Sequence, residues 1–298
     1  MEEQDLKLIF NAIESGKCLA FLGAGACTEY KDQNDETVPG LPTGLKLAEV
    51  LASECEYTTN GKSHDLPNIA EYFIYTQNGD REKLARIIQR EIAIGCPSRP
   101  IHTVLAQLYP IKVIITSNYD TLLETEINKF GRILTKNVYK RNGSQNAHFQ
   151  GTIFFEERDI ILHKMHGTIE EPDSMVITQS DYIRYLSNLN DPDRGMPDYF
   201  WKIIIPQFTL LFLGYSLDDW NFRVIWEGVL SKHHALGIHK ISYALVKDSD
   251  HFKKSYWEAR KIKILNLDLT EFAVKLAEHF NLEIPQLGIE KKTEATQK

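Results

Sequence analysis

Three features that would define other classes of protein are missing from this sequence. The longest apolar run, around Phe208–Leu213, has the length of a strand and is too short to cross a membrane. No run of basic residues stands out and the formal net charge is -7, so binding to nucleic acid has little electrostatic support. The N-terminus, MEEQDLKLIF, is acidic and amphipathic, so we expect no signal peptide.

Cysteine is also scarce. The chain has four cysteines, Cys18, Cys27, Cys55 and Cys96, which are far apart and include no Cys-x-x-Cys pair. This spacing offers neither half of a zinc ribbon. We therefore expect reduced thiols, no zinc and a cytoplasmic location.

Short apolar runs alternate with longer amphipathic segments along the chain. The apolar runs predict buried strands at Cys18–Leu22, Val113–Thr116, Ile160–Leu162, Thr209–Leu213, Ile241–Val246 and Ile262–Leu267. The amphipathic segments predict helices at Leu6–Glu14, Leu45–Cys55, Leu84–Ile94, Ile101–Leu108, Trp220–Leu230 and Phe272–Phe280. This alternation favours an α/β fold, a Rossmann-like parallel sheet with helices on both faces.

The remaining segments predict how the chain is divided. We expect residues 1–289 to form one domain, with a small helical insertion at about 60–98, because His64–Ile94 is helical without a strand signal. Three polar stretches are expected to be mobile loops: Lys31–Thr37, Arg141–His148 and Asn188–Asp198. The charged tail at residues 290–298 is expected to be disordered.

The first predicted strand leads directly into a turn that contains two glycines, Phe21-Leu22-Gly23-Ala24-Gly25-Ala26. Glycines at a strand end let backbone N–H groups approach a phosphate without interference from a Cβ. The third glycine of the dinucleotide-binding fingerprint is missing, and no acidic residue ends an adjacent second strand. On this motif alone, a phosphate site and a tight turn without a ligand are equally good interpretations.

Polar residues follow three further predicted strands. The second strand continues into Ser117-Asn118-Tyr119-Asp120, which also suits a helix cap. The third precedes His166-Gly167, where the imidazole is either a base or a structural side chain. The fourth continues into Gly214-Tyr215-Ser216. Because parallel α/β sheets bind ligands beyond the carboxyl ends of their strands, the four strand ends together predict a site for a large polar ligand with phosphates.

In this order the motifs resemble the signature of the sirtuin family. Gly23-Ala24-Gly25 resembles the family's Gly-Ala-Gly loop, and Thr116-Ser117-Asn118-Tyr119-Asp120 resembles its Thr-Gln-Asn-x-Asp motif. His166-Gly167 is similar to the catalytic His-Gly pair, and Gly214-Tyr215-Ser216 is similar to the segment that contacts the dinucleotide. The resemblance extends over residues 18–268, which is most of the chain.

The departures from that signature resemble one branch of the family. Sirtuin deacylases carry two Cys-x-x-Cys pairs between the last two motifs, and here that interval contains no cysteine. The segment Gly40-Leu41-Pro42-Thr43-Gly44-Leu45 stands where the family has Gly-Ile-Pro-Asp-Phe-Arg, and Cys27 replaces a usual serine. This pattern resembles the zinc-less bacterial sirtuin-like proteins, which hydrolyse NAD in anti-phage defence.

The resemblance implies an NAD+ hydrolase that cleaves the bond between nicotinamide and ribose. It assigns Asn118 to the attacking water or a ribose hydroxyl, and His166 to the general base. It assigns Asp120 to the nicotinamide end or to the stability of its loop. The residues that it places on the dinucleotide are Gly23, Ala24, Gly25, Ala26, Pro42, Thr116, Ser117, Gly214, Ser216 and Asn266.

Other functions stay open at this point. A protein deacylase or an ADP-ribosyltransferase would use the same NAD pocket, and a module that senses NAD or ADP-ribose would bind without turnover. Because defence hydrolases of this kind are silent until triggered, we expect a homo-oligomer or a sensor protein of the ATPase or Argonaute type supplied in trans. We expect neither direct nucleic-acid binding nor membrane attachment.

Overall fold

A computed structural model describes residues 2–57, 65–76, 79–92, 95–141, 156–189, 205–216, 240–247 and 249–291, together with Asp191, Arg223 and Trp226. The helices in these residues are α1 (Glu2–Glu14), α2 (Gly44–Glu54), α3 (Leu66–Thr76), α4 (Arg81–Ile92), α5 (Pro100–Gln107), α6 (Leu122–Lys129), α7 (Gln179–Asn188), α8 (His251–Glu258) and α9 (Leu269–Phe280). The strands are β1 (Cys18–Leu22), β2 (Tyr30–Lys31), β3 (Thr37–Val38), β4 (Val113–Thr116), β5 (Ile133–Val138), β6 (Asp159–Lys164), β7 (Thr209–Leu213), β8 (Ser242–Leu245) and β9 (Ile262–Leu265).

Seven of these strands form one parallel sheet in the order β5-β6-β4-β1-β7-β8-β9. The central strand β1 pairs with β4 on one side and with β7 on the other. After β1 the chain continues to the β4 side of the sheet, and after β7 it continues to the β8 side. The direction of winding therefore changes between β1 and β7, which is where sheets of this type open a crevice for ligands.

Both faces of the sheet are covered by helices, as the apolar strands predict. Leu19 and Phe21 of β1 face a core that includes Trp257 of α8. Their neighbours Ala20 and Leu22 face the opposite core, which α1, α5, α6 and α9 complete. Successive residues of a strand point to opposite faces, so a strand buried on both faces needs an unbroken apolar run. The predicted α/β fold is confirmed.

A third core belongs to helices α2, α3 and α4, which contribute Leu51, Phe73 and Ile88 among others. This helical module packs on Tyr119, which follows β4, and on Met175. The side chain of Thr43 caps α2 by accepting a hydrogen bond from the backbone N–H of Lys46. Since α2 shares this core, the module includes a helix that precedes the predicted insertion, whose limits at about 60–98 stay a prediction.

The structure also shows elements that the sequence did not predict. Strand β5 was not predicted because it lies at the sheet edge, where Ile133, Thr135 and Lys136 are exposed and the run is not uniformly apolar. The prediction of a loop at Lys31–Thr37 is wrong at both ends, because those two residues pair in an antiparallel hairpin of β2 and β3.

Several predicted segments lie mainly outside the described residues. They are most of the loops predicted at Arg141–His148 and Asn188–Asp198, the helix predicted at Trp220–Leu230 except for Arg223 and Trp226, and residues 292–298 of the tail. The loop prediction is wrong at Asn188, which is the last residue of α7. Within the described part of the chain, every helix is too short or too polar to span a membrane.

Candidate active site

Two cavities lie at the carboxyl edge of the sheet, beside the crevice between β1 and β7. The first has a volume of about 1070 Å³ and the second about 350 Å³. Both walls include Gly25, Gly214 and Ser216. The cavities therefore meet where the direction of winding changes, between β1 and β7. The helical module forms part of the wall of the first cavity through residues such as Leu47 and Leu66.

Most of the predicted site residues line these cavities. The walls contain Ala24, Gly25, Ala26, Pro42, Ser117, Asn118, Asp120, Gly214 and Ser216. Four others, Gly23, Thr116, His166 and Asn266, belong to neither wall. Asn266 is adjacent to Leu267 and Asp268, which line the second cavity. The binding roles assigned to these residues stay predictions.

The glycine turn after β1 packs directly on the turn after β7. A Cβ on Gly23 would lie 2.7 Å from the carbonyl oxygen of Gly214, and one on Gly25 would lie 2.8 Å from the same oxygen. The backbone N–H of Gly23 donates to Leu213, that of Gly25 donates to Gly214, and that of Ala26 donates to Gly23. These glycines are therefore required by close packing, and three N–H groups that were expected to hold phosphate are already bonded within the protein.

Gly214 makes this packing possible, and its replacement should disturb both cavities. Its φ is +75°, and a Cβ there would overlap the backbone nitrogen of Ala26. We expect Gly214→Ala to lower the free energy of unfolding by at least about 2 kcal/mol, because the strain of a positive φ and the steric clash of the new Cβ both destabilise the folded state. Gly131→Ala is the matched control, since Gly131 has a φ of +66° and open space around it. Equal losses in urea unfolding of the two variants would contradict this explanation.

The segment after β4 is tied to β1 by hydroxyl groups. The Oγ1 of Thr116 donates to the carbonyl oxygen of Leu22 at 3.0 Å and accepts from the backbone N–H of Asn118 at 3.0 Å. The hydroxyl of Tyr215 donates to the same Leu22 oxygen at 2.9 Å and accepts from Ser117 Oγ at 3.2 Å. Thr116 therefore fixes the position of this segment relative to β1, although it lines neither cavity.

Asn118 joins this segment to the glycine turn. Its Nδ2 donates to the carbonyl oxygen of Gly23 at 3.0 Å and contacts Cys27 Sγ at 3.4 Å. No described residue donates a hydrogen bond to its Oδ1, and Asn118 lies in the wall of the first cavity. The carboxamide is thus fixed by its nitrogen, and its oxygen remains available to a ligand or a water.

Asp120 is buried in the same wall beside Cys27. Its Oδ2 accepts from the Cys27 thiol at 3.2 Å, and its Oδ1 accepts from the backbone N–H of Leu122 at 3.0 Å. Burial, followed by the charge of Asp120, raises the pKa of the Cys27 thiol well above its ordinary value. Cys27 is therefore a protonated donor that orients Asp120, which fits the predicted role of Asp120 in stabilising its loop.

His166 lies behind the wall of the first cavity. It is 1% exposed, and its ring packs edge-on against Tyr182, which does line the cavity, with 5.2 Å between ring centroids. Its Nε2 is buried and has no hydrogen-bond partner in the described part of the chain. Burial, and secondly the neighbouring His163, lowers the pKa of His166 to about 3, so the ring is neutral at physiological pH.

Three buried histidines should make the fold sensitive to acid. Burial lowers the pKa of His163 and His166 to about 3 and that of His102 to about 4. As the pH falls from about 6.5 towards about 4, the unfolded chain takes up protons that the folded chain does not, so stability decreases. Each ring contributes about 1.4 kcal/mol per pH unit in that window, and stability is fully present above it.

Chemical unfolding measured over this pH range tests that expectation. We expect His163→Gln to reduce the slope of unfolding free energy against pH by about 1.4 kcal/mol per unit. His251→Gln is the control, because that side chain is exposed. An unchanged slope in His163→Gln would show that the ring is protonated in the folded state.

Lys164 is a further residue at the site, and sequence reasoning missed it. Its side chain is 1% exposed, and its Nζ donates to the backbone carbonyl of Asp120 and to Glu124 Oε1, the latter at 3.0 Å. It therefore connects the end of β6, which leads to His166, with the segment that carries Asn118. The local motif around Lys164 contains no sign of its partners, which lie after β4 and on α6, so no signal in the sequence could have identified it.

The chemistry of the first cavity suits a polar ligand with hydroxyl groups. Asn118, Asp120, Ser117 and Ser216 supply oxygen and hydroxyl groups in one wall. In the part of the chain covered by the structure, no group of three or more histidine, cysteine, aspartate or glutamate side chains is placed to hold a metal ion.

Comparison with known proteins gives matches over most of the chain. NAD(+) hydrolase ThsA of Bacillus cereus (strain MSX-D12) is 27% identical over 243 residues, which cover 79% of this chain and 47% of that protein. NAD(+) hydrolase ThsA of Enterococcus faecium is 27% identical over 282 residues, which cover 92% and 54%. Defense-associated sirtuin 2 of Bacillus subtilis is 24% identical over 238 residues, which cover 76% and 21%.

The chain thus spans about half the length of the curated ThsA relatives that it matches. The SIR2-like domain family matches residues 112–265, a range that begins just before β4 and ends with β9. This range contains Asn118, Asp120, His166 and Ser216, and it makes up half of the sequence. The chain belongs to the family of SIR2-like domains.

Proposed function

We propose that this chain is an NAD+ hydrolase that releases nicotinamide and ADP-ribose, and that it serves in bacterial defence against phage. The observation that carries the proposal is the first cavity, where Asn118 is anchored through its nitrogen, no described residue donates to its Oδ1, and Asp120 and Ser216 lie in the same wall. Relatives named as NAD+ hydrolases and as a defence-associated sirtuin support the same reading. A volume of about 1070 Å³ accommodates a ligand of dinucleotide size.

In the reaction, the bond between the ribose carbon and the nicotinamide nitrogen breaks. The bonding electron pair goes to the nitrogen and neutralises the pyridinium charge, and a water oxygen bonds to the ribose carbon. One of the two protons of the water stays on the new ribose hydroxyl, and the other must leave. Asn118 Oδ1 would orient the water or a ribose hydroxyl, and the neutral ring of His166 would accept the proton directly or through a ribose hydroxyl. Products are nicotinamide, ADP-ribose and one proton.

His166 is one side chain away from the first cavity, because it packs against Tyr182 of the cavity wall. For His166 to act, Tyr182 must move or a ribose hydroxyl must reach the unpartnered Nε2. The orphaned nitrogen is a physical reason to expect such a contact, because a buried polar atom without a partner is unfavourable. Asp120, held by Cys27 and by the backbone of α6, would keep Asn118 in place and orient the nicotinamide end.

Nicotinamide release with and without an acyl-lysine peptide tests the proposal against a deacylase. The purified chain is incubated with NAD+, and nicotinamide is measured by chromatography. We expect release at the same rate in both samples, since water is the acceptor. Release that requires the peptide would show a deacylase and would overturn the hydrolase proposal.

We also propose that the chain uses no zinc, works in the cytoplasm and is switched on by assembly. Its partners would be further copies of itself or a sensor protein supplied in trans, because continuous NAD hydrolysis would kill the cell. Size-exclusion chromatography of the sample used for turnover tests the assembly proposal. Full activity in a lone monomer would contradict it.

A further inference from the structure

The ring of His166 is enclosed by two tyrosines of α7. Tyr182 and Tyr185 each pack edge-on against the imidazole, with 5.2 Å and 5.1 Å between ring centroids. All three residues are buried. Of the two tyrosines, only Tyr182 lines the first cavity. The phenol ring of Tyr182 therefore separates the cavity from the predicted base.

The backbone at His166 is held in place. The carbonyl oxygen of His166 accepts from the backbone N–H of Val176 at 3.0 Å, and the next residue, Gly167, has a φ of +82°. A Cβ on Gly167 would lie 2.5 Å from the backbone of Ser174, so the chain is tightly packed at this turn. Access to the imidazole is therefore decided by the side chain in front of it and not by a shift of the turn.

The backbone that carries Tyr182 is held as well. The preceding residue, Asp181, is buried, and its Oδ2 accepts from Arg81 Nη1 of α4 at 2.8 Å. The same oxygen accepts from the backbone N–H of Thr178 at 3.1 Å, and the side chain of Thr178 caps α7. Tyr182 is thus a fixed part of the wall, and rotation of its side chain is what uncovers His166.

The first cavity has room for an acceptor larger than water. Its volume of about 1070 Å³ is at the upper end of the range for small-molecule sites. Beside its polar groups the wall contains apolar side chains that suit a carbon chain, namely Leu41, Leu45, Leu47, Leu66, Pro67 and Ile92. Neither the volume nor the polarity of the cavity therefore selects water over an alcohol or an amine.

The selection is made where the acceptor meets the base. The acceptor gives up a proton as its reacting atom bonds to the ribose carbon, so that atom must come close to the base. His166 Nε2, which has no partner among the described residues, is the atom that takes the proton. Water needs a small rotation of the Tyr182 ring, whereas an acceptor that carries a carbon group needs the ring to leave, and this opens a void in a packed interior.

We propose that Tyr182 selects water as the acceptor by keeping larger alcohols and amines away from His166. This inference rests on the proposed function, because it concerns the acceptor in the same reaction. Tyr182 acts by exclusion, so it takes no proton and forms no bond with the substrate. The exclusion requires the aromatic ring of Tyr182 and not its hydroxyl group.

Chemical labelling of histidine tests the exclusion without any turnover. The full chain is treated with diethyl pyrocarbonate, which is larger than water and acylates neutral imidazole nitrogens, and peptide mass spectrometry locates the modified residues. We expect His166 to be unmodified in the wild-type chain and in Tyr182→Phe, and modified in Tyr182→Ala. Ile183→Ala is the matched control, since Ile183 is 65% exposed on the same helix, and His166 should stay unmodified in it. The exposed His251 should be modified in every sample.

Turnover in the presence of methanol tests the choice of acceptor itself. In methanolysis the bond between ribose and nicotinamide breaks, its electron pair goes to the nitrogen, the methanol oxygen bonds to the ribose carbon, and the methanol proton goes to His166. The products are nicotinamide, O-methyl-ADP-ribose and one proton. We expect the ratio of O-methyl-ADP-ribose to ADP-ribose to rise about 10- to 100-fold in Tyr182→Ala and to keep its wild-type value in Tyr182→Phe and Ile183→Ala.

Two results would overturn the proposal. One is equal labelling of His166 in the wild-type chain and in Tyr182→Ala, and the other is an unchanged product ratio in Tyr182→Ala. If thermal unfolding shows that Tyr182→Ala does not fold, Tyr182→Leu fills more of the space, and the same changes are expected with a smaller size. A failure of the hydrolase proposal would leave the labelling result unchanged, so the two failures are distinguishable.

Discussion

Replacing Asn118 by alanine is expected to lower the rate of nicotinamide release by about 100- to 1,000-fold, because a fixed polar group at the reacting atoms is lost. The substitution also removes the hydrogen bond from Nδ2 to the Gly23 carbonyl. A single bond of this kind contributes about 0.5–1.5 kcal/mol, so the chain should remain folded. Turnover and thermal unfolding are measured on the same preparation.

Two further variants separate chemistry from structure at this position. Asn118→Asp keeps the shape and places an oxygen next to the Gly23 carbonyl oxygen, so it should be as inactive as the alanine variant. Asn128→Ala on α6 is the control, because Asn128 is exposed. Near-wild-type turnover in either Asn118 variant would remove Asn118 from the mechanism.

His166→Ala is expected to lower turnover by about 100- to 10,000-fold through loss of the base.

Lys164→Met is expected to lower the free energy of unfolding by about 3–5 kcal/mol, because it leaves the Glu124 carboxylate buried without its partner. Glu124 is 6% exposed, and its contact with Lys164 Nζ is 3.0 Å. The substitution also removes the bond to the backbone carbonyl of Asp120. We therefore expect a loss of NAD turnover in addition to the loss of stability.

Urea unfolding of a double variant tests whether the uncompensated charge is the cause. Lys164→Met combined with Glu124→Leu removes both charges, so it should recover most of the stability that Lys164→Met loses. Lys46→Met is the control for an exposed pair, since Lys46 and Glu49 are 65% and 57% exposed, and it should change stability by less than about 1 kcal/mol. A double variant as unstable as Lys164→Met would exclude this cause.

Much of the fold could be predicted because its strands are buried on both faces. The bounds of β1, β4 and β7 match the predicted runs, since each is an unbroken apolar segment between polar ones. The edge strand β5 contains both polar and apolar residues because part of it faces solvent, so its sequence is not an unbroken apolar segment. Local periodicity also could not show that α2 belongs to the helical module, because that depends on packing between distant segments.

The candidate site was predictable only in part, for a similar reason. Asn118, Asp120 and Ser216 line the cavities because strand ends in a parallel sheet share one edge. His166 also follows a strand end, yet the ring of Tyr182 lies between it and the cavity, and a sequence motif does not report side-chain packing. Lys164 acts through partners on other elements, so its surroundings became visible only in three dimensions.

The most direct test of the central claim is the product balance of NAD+ turnover by the wild-type chain with no other protein or peptide present. Nicotinamide and free ADP-ribose are quantified together over many turnovers. If NAD+ is consumed with water as acceptor, the two products appear in equal amounts and both exceed the amount of protein. Nicotinamide without free ADP-ribose would contradict the account.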